Sequence, residues 1–391
     1  MTMREFKLSK GWAIFVYIMV PLLIALFLSL LLMPFLTGSE IDMNSFWILG
    51  PLSIGMIVFL VIGLVDAIKG KFVIDQDKIY TVSAFSTKQM SLHEIQGYRI
   101  TDNYIFIESK TGQKIKVSSY FGNITEILTW LTEHFSDLDL VQTIQEKEEI
   151  LNNEAFGWST EQREEKLIKA QKITKILNWT GGIIGAWILI LPNPYEYAII
   201  ASIVFQIICV VVLKFSGGLI RINERKDSAY PSIFIAILTT SMGLCIRALL
   251  DYEIFDFSRI WAPSILISLS FTAVLIFGNK EFKFNTAKDF LTIIGFTAFT
   301  FAYGYGAVVT LNCTFDKSES ETFHASIMSK RISHGKHTSY YFELSPWGKR
   351  KEVKEVSVPK PLYDRLETND KVRIYLMKGK FEIPWFVVSE E

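Results

Sequence analysis

Histidine, cysteine and intramembrane charge are where chemistry would show first in this 391-residue chain, and all three are scarce. Three of the five histidines, His324, His334 and His337, lie near the C-terminal end, with His334-Gly335-Lys336-His337 in an expected hairpin loop. A metal site needs ligands on fixed elements, each oriented by further hydrogen bonds, and no cysteine or carboxylate cluster accompanies this pair. His93 and His134 have no nucleophile at a recognisable spacing. Cys209 and Cys245 fall within apolar stretches, where a thiol packs as a small hydrophobe. Cys313 reads as an unpaired buried thiol, the other option being an intermolecular disulfide in an oxidising compartment. Charges inside apolar spans mark transport routes and proton relays. Only Asp66 and Arg247 qualify here, both near a span end, and Arg247 shares a helix face with Asp251 four residues on. Polar or ionisable residues at mid-span are nearly absent. No phosphate-binding, dinucleotide, nucleophile-elbow or zinc-protease motif occurs. The sequence therefore assigns no catalytic, cofactor-binding or metal-ligating residue, and no cofactor.

The elements that would have to position such residues are easier to read. Half of the chain is hydrophobic, 40 Lys and Arg balance 40 Asp and Glu, and Cys numbers three. Those figures exclude a disordered tail, a disulfide-stapled secreted domain and a strongly basic nucleic-acid binder. The apolar residues are clumped. A membrane-crossing helix takes roughly 20 of them, because the hydrocarbon layer is about 30 Å thick. Residues 11–35 (Gly11–Phe35) carry no charge, and 47–68 (Trp47–Ile68) carry only Asp66. Pro21 and Pro51 interrupt them, which membrane helices tolerate. Five more stretches return at 177–191, 195–213, 232–250, 261–278 and 290–311, giving seven spans grouped as two and five. Pro192-Asn193-Pro194 reads as a tight turn between the third and fourth. Gly181 and Gly185 make a small-xxx-small spacing, and Gly295, Gly304 and Gly306 lighten the last span; both features read as helix packing.

Lys and Arg of the short loops alternate in side along this order, which predicts orientation. Arg4, Lys7, Lys10, Lys69, Lys71, the run Lys166–Lys175, Lys214, Arg221, Arg225, Lys226, Lys280, Lys283 and Lys288 fall on one side. Loops 36–46 and 192–194 have no cation on the other, and 251–259 has only Arg259. The N-terminus and the central insert are expected to be cytoplasmic and the C-terminal region outside.

Residues 71–136 alternate in short strands, at 72–74, 78–84, 88–92, 97–100, 104–109 and 114–119, and close with a helix from Asn123 to His134. Asn123 is the expected N-cap, and Ile124, Ile127, Leu128 and Leu131 share a face. With Val73-Ile74-Asp75, Ser91-Leu92-His93-Glu94-Ile95 and Lys116-Val117-Ser118-Ser119-Tyr120-Phe121, this meander resembles the bacterial pleckstrin-homology-like domains that sit beside transmembrane hairpins. Eukaryotic namesakes often bind phosphoinositides through a basic first hairpin loop. Here that loop is the acidic Asp75-Gln76-Asp77, and the basic edge is Lys110, Lys114 and Lys116, which reads as a solvated edge that discourages strand pairing.

Residues 137–175 form a charged helical connector. Ser159-Thr160-Glu161-Gln162 has the form of a capping box that opens a helix running on into the third span. After 313 the chain is strand-rich, at 322–330, 338–344, 353–358, 372–377 and 381–388, with a helical turn at 359–366. That predicts a small β-barrel. It resembles the extracytoplasmic β-domains appended to bacterial membrane proteins.

The expected fold is thus an α-helical membrane protein: a hairpin (1–70), a cytoplasmic pleckstrin-homology-like domain (71–136), the connector (137–175), a five-span bundle (176–312) and a small β-domain (313–391). The leading functional expectation is binding, as a sensor or scaffold of the cytoplasmic membrane. The bilayer, and a protein met through either soluble domain, are the expected partners, and nucleic acid is not. A channel or transporter built on the five spans, and a membrane enzyme of the cell envelope, are the alternatives.

Overall fold

The computed structural model describes residues 3–33, 43–223, 225–277, 279, 281–282, 287–334 and 338–391. The loop centred on 34–42, Lys280, Lys283 and the Gly335–His337 tip, all singled out above, lie outside them. Among the described residues seven helices are long and apolar enough to cross a membrane. By length and composition this is a multi-pass membrane protein. The chain divides into two compact units, Met1–Glu146 with Lys226–Ser228, and Lys147–Arg225 with Ala229–Glu391.

In the first unit β1 (Arg4–Lys7) precedes α1 (Lys10–Leu32) and α2 (Met43–Lys69), and β2 (Lys71–Ile74) follows them. β3 (Lys78–Val82) and β4 (Thr87–Ser91) complete an antiparallel sheet in the order β1-β2-β3-β4. β5 (Ile95–Ile100), β6 (Tyr104–Ser109), β7 (Lys114–Ser118) and the short β8 (Ser136–Asp137) make a second sheet, ordered β7-β6-β5-β8. α3 (Ile124–His134) covers the core with Ile127, Trp130 and Leu131, against Phe72, Ile79, Ile107 and Ile115. Strand β1 is an addition to the sequence reading. Four residues with Arg4 at one end and Lys7 at the other carry no strand signal alone; pairing Phe6 with Phe72 is what makes them one. Asn123 does stand before α3, but at φ 57° and without a side-chain capping bond. Side-chain capping needs extended dihedrals at that position, so a left-handed residue serves as a turn instead.

The second unit takes in the end of α4 (Leu138–Asn152) and then five long helices. They are α5 (Thr160–Ile190), α6 (Tyr195–Phe215), α7 (Phe234–Asp251), α8 (Ser258–Ile276) and α9 (Ala287–Thr314). α5 runs unbroken through 31 residues. Its start is a variant of the expected box: Ser159 Oγ accepts from Gln162 N–H at 3.3 Å, while Gln162 Oε1 reaches back to the N–H of Trp158, at 3.1 Å, one residue further out. Gly181 and Gly185 let α5 close on α7, where a Cβ would meet Ala236 and Thr239 backbone at 2.6 and 3.0 Å. Gly304 and Gly306 do the same for α9 against α8 and α7, whereas Gly295 faces open space.

The C-terminal strands are β10 (Glu321–His334), β11 (Thr338–Leu344), β12 (Lys354–Val358), β13 (Lys371–Met377) and β14 (Trp385–Glu390), with α10 (Lys360–Arg365) between β12 and β13. The 14-residue β10 pairs with β13 through its first half and with β11 through its second, shifting register between Ile327 and Ser329. A bulge of that kind bends a strand and curls the sheet. A two-residue strand from the α7–α8 turn, β9 (Glu253–Ile254), extends the order to β12-β11-β10-β13-β14-β9. The two edges then meet: Ser357 N–H on β12 donates to Glu253 Oε1 on β9 at 3.2 Å. The result is a nearly closed, barrel-like sheet at the end of the bundle where α7 turns into α8.

Candidate functional site

Two places in the second unit combine polar groups with defined geometry. The first lies midway along the helices. Facing turns of α6, α8 and α9 leave an open groove-like cavity of about 490 Å³, with Ile207 and Leu266 exposed on its rim. Its walls are mostly apolar, from Ile207, Val210, Leu266 and Phe271 among others, with Gln206, Ser270 and Tyr303 as the polar exceptions. That volume and lining fall in the range of small-molecule sites, which are apolar with a few placed polar groups.

Gln206 is fully buried. Its Nε2 donates to the Ile237 carbonyl on α7 at 2.9 Å and lies 2.6 and 2.8 Å from Thr240 Oγ1 and Ser241 Oγ. A carbonyl only accepts, so the amide nitrogen must face α7, and Oε1 is left without a partner. A second neutral cluster joins α8 to α9, with Thr300 Oγ1 2.5 Å from Thr272 Oγ1 and 3.1 Å from Ser268 Oγ. Scanning for charges misses these residues, because Gln, Ser and Thr are tolerated singly in membrane helices. The mid-span expectation is corrected here. Asp, Glu, Lys, Arg and His are missing from the buried mid-span positions described, but neutral polar side chains are buried there in two clusters.

The second place is the seam where the curled sheet meets the helices. Asn312, buried in the last turn of α9, donates from Nδ2 to the Ile383 carbonyl at 2.9 Å and accepts at Oδ1 from Phe381 N–H at 2.9 Å. Asp316 Oδ2 accepts from Gly379 N–H at 2.8 Å and from the Trp385 indole at 2.9 Å. Tyr252 packs edge-on against Trp385, with ring centroids 5.7 Å apart, and its hydroxyl lies 2.5 Å from Thr314 Oγ1. These bonds explain why the last strand starts at Trp385 and not at Phe381. Residues 378–384 are drawn off as a loop onto the helix end, with Gly379 at φ 79° and Glu382 at φ 60°.

Two carboxylates at this seam are driven in opposite directions. Burial works against ionisation of Asp316, but the hydrogen bonds from Ser318, Trp385 and Gly379 outweigh it and hold the carboxyl below 3.8. Glu253 is pushed up by burial, which the Ser357 N–H and the charges of Lys354 and Arg350 only partly offset. At the opposite end of the bundle Glu281 is likewise raised by burial, against hydrogen bonds from the Ile222 and Asn223 N–H groups, both 3.0 Å.

The residues singled out for chemistry are otherwise dispersed. Arg247 binds the Ile188 and Leu189 carbonyls at 2.6 and 2.8 Å and Asp251 at 3.2 Å, so it caps the end of α5 as well as pairing along its own helix. Asp66 accepts from Ala84 N–H at 2.8 Å. Cys209 and Cys313 are buried, and all three thiols are free. His324 sits 3.3 Å from Glu391 on the sheet surface, and His337 lies outside the described residues. Of the basic edge, Lys114 pairs with Glu108 at 2.6 Å, Lys110 donates to the His93 carbonyl, and Lys116 lies over the Tyr104 ring. Among the described residues no three His, Cys, Asp or Glu side chains come together as a metal site. Comparison with protein-family models, with curated proteins and with solved structures finds no match for this chain.

Proposed function

We propose that the protein acts by binding, as a membrane sensor whose five-helix bundle takes up an apolar ligand and whose curled sheet registers it. One observation carries this reading: α9 both walls the mid-span cavity, through Tyr303, and ends in the Asn312–Asp316 seam that holds the sheet. Tyr303 and Asn312 are nine positions apart on the helix, about 14 Å at 1.5 Å per residue. A shift of α9 at the cavity would therefore reach the sheet through one stiff element.

The ligand class follows from the lining. It is largely hydrocarbon, with room for a hydroxyl or carbonyl beside Ser270 and Tyr303. Mass spectrometry of the purified protein should find one lipid class enriched, and Ser270→Trp, which fills the cavity, should lose it. Equal lipid content in both proteins would refute the reading. Hydrogen exchange should also differ between the two at residues 385–390. The channel and envelope-enzyme alternatives have no comparable support, since the buried polar clusters spend their hydrogen bonds on one another across neighbouring helices and on carbonyls of their own helix.

For orientation, the loop cations favour cytoplasmic strands β1–β8 and an external C-terminal sheet. The β9–β14 pairing supports the sheet lying on the same side as the cation-poor α7–α8 turn. Cys313 is too buried to report this by thiol labelling. An impermeant maleimide should instead label Thr368→Cys in intact cells and Gln76→Cys only after permeabilisation; the reverse pattern would invert the topology.

A further inference from the structure

Chain direction at the end of α2 puts an aromatic side chain where a bilayer surface would be. Gly70 alone separates α2 from β2. β2 therefore leaves the last helical turn directly, and β3 returns antiparallel beside it, with Val82 opposite Lys71. Residues 83–86, which join β3 to β4, continue past that level alongside the helix end. They are fastened there by the 2.8 Å bond from Ala84 N–H to Asp66 Oδ1, three residues before the last residue of α2. Within the turn, Ser83 donates to the Ser86 carbonyl from its N–H at 2.9 Å and from its Oγ at 3.0 Å. Phe85 at the tip is 78% exposed. A short, internally braced turn has no folding reason to present a phenylalanine to water.

The same level is marked at the start of α1. Trp12 lies tilted against Tyr120 with ring centroids 4.6 Å apart, and Leu8 bridges to Phe121. Lys10 and Lys69, the terminal residues of α1 and α2 at this end, are both exposed. Aromatic rings flanked by exposed cations at the ends of apolar helices fit the headgroup layer of a membrane.

The geometry points to the Ser83–Ser86 turn as a bilayer anchor. Phe85 enters the boundary between headgroups and acyl chains of the membrane that α1 and α2 cross, and Asp66 holds the turn at that depth. This rests on α1 and α2 lying in a bilayer, but not on the ligand cavity or the sheet. It also gives Asp66 a role that the sequence leaves open: a carboxylate near the end of an apolar span, where it satisfies a backbone N–H of the inserted turn.

The test is nitroxide accessibility in the full chain, with the three natural cysteines replaced by alanine and the protein reconstituted in phospholipid vesicles. A label at Phe85→Cys should collide with oxygen in preference to an aqueous nickel chelate, as a label at the lipid-facing position Phe59→Cys should. A label at Gln76→Cys, in the distal turn, should show the opposite preference. Position 85 behaving like 76 would overturn the anchor and leave a protein partner as the reason for Phe85. An aqueous signal at 59 would instead overturn the bilayer placement of α2, and the anchor with it.

Because a nitroxide is itself apolar, a second pair keeps the native side chain. A label at Ser86→Cys with Phe85 present should move toward the aqueous reagent when Phe85 is changed to Ser, and no shift would count against insertion. Asp66→Ala should raise the mobility of the label at 85, and an unchanged spectrum would remove Asp66 from the proposal.

Discussion

The apolar helices of the two units are put together in different ways. None of the apolar window of α1 and 6% of that of α2 is buried within the protein, against 39% for α6 and α7 and 50% for α9. Hydrocarbon offers helices no hydrophobic drive to associate, so close packing depends on small residues and on hydrogen bonds between helices. The five-helix bundle has both: Gly181, Gly185, Gly304 and Gly306 at crossings, and Gln206 with its α7 acceptors. Gly55 and Gly63 of α2 have nothing within 4 Å of a would-be Cβ. At these positions the same residue type is a contact in the bundle and only a gap in the side-chain cover of α2, where Gly55 and Gly63 are as open as Gly295 of α9.

Substitutions can break this contrast or sharpen it. The largest effect is expected from Gly306→Ala, whose Cβ would come 2.6 Å from the Cys245 backbone nitrogen. Overpacking against backbone costs roughly 3 kcal/mol, read as a lower midpoint of thermal unfolding in detergent; an unchanged midpoint would mean that α7 and α9 are not in close contact. Next comes Asp316→Ala, which removes two charge-assisted bonds of the seam and should cost about 2 kcal/mol. Its pH dependence has a defined sign. A carboxyl held below its ordinary value contributes stability above that value, and loses it as pH falls through the folded pKa.

Glu253 has the opposite sign, since its raised pKa favours the neutral form and stability falls as pH rises from the ordinary carboxylate range through the raised value. Glu253→Gln keeps an acceptor for Ser357 and should therefore raise the unfolding midpoint at neutral pH, while Asp316→Asn lowers it. Two variants moving the same way would discount one of the two assignments. Gln206→Leu should lose about 1 kcal/mol, the scale of hydrogen bonds between membrane helices. Smallest of all, Gly63→Ala should leave stability unchanged to within about 1 kcal/mol, and a loss like that of Gly306→Ala would show that the Gly63 face of α2 is packed against something.

Much of the architecture is legible before folding is considered, because it depends on local period. Lipid-spanning length, alternation in β5–β7 and the helix start at Ser159-Thr160 can each be read within a few residues. The candidate site is not of that kind. Gln206 is one polar residue in an apolar run, and nothing beside it in the chain says that Ile237, Thr240 and Ser241 will face it. β1 and β9 are too short to show a period, and each exists only through its partner, β2 in one case and β14 in the other. Residues 381–384 have the composition of strand, yet Asn312 and Asp316 hold this segment as a loop.

The sequence by itself determined the apolar helices and their order, the loop cations and the strand-rich segments, since each depends on the composition of a single stretch. Only the tertiary structure decided which glycines are contacts, where a cavity opens between α6, α8 and α9, and how α9 is joined to the sheet. Those features come from atoms distant in the chain meeting at 2.5–4 Å, where shape and hydrogen-bond direction, rather than hydropathy, decide the outcome.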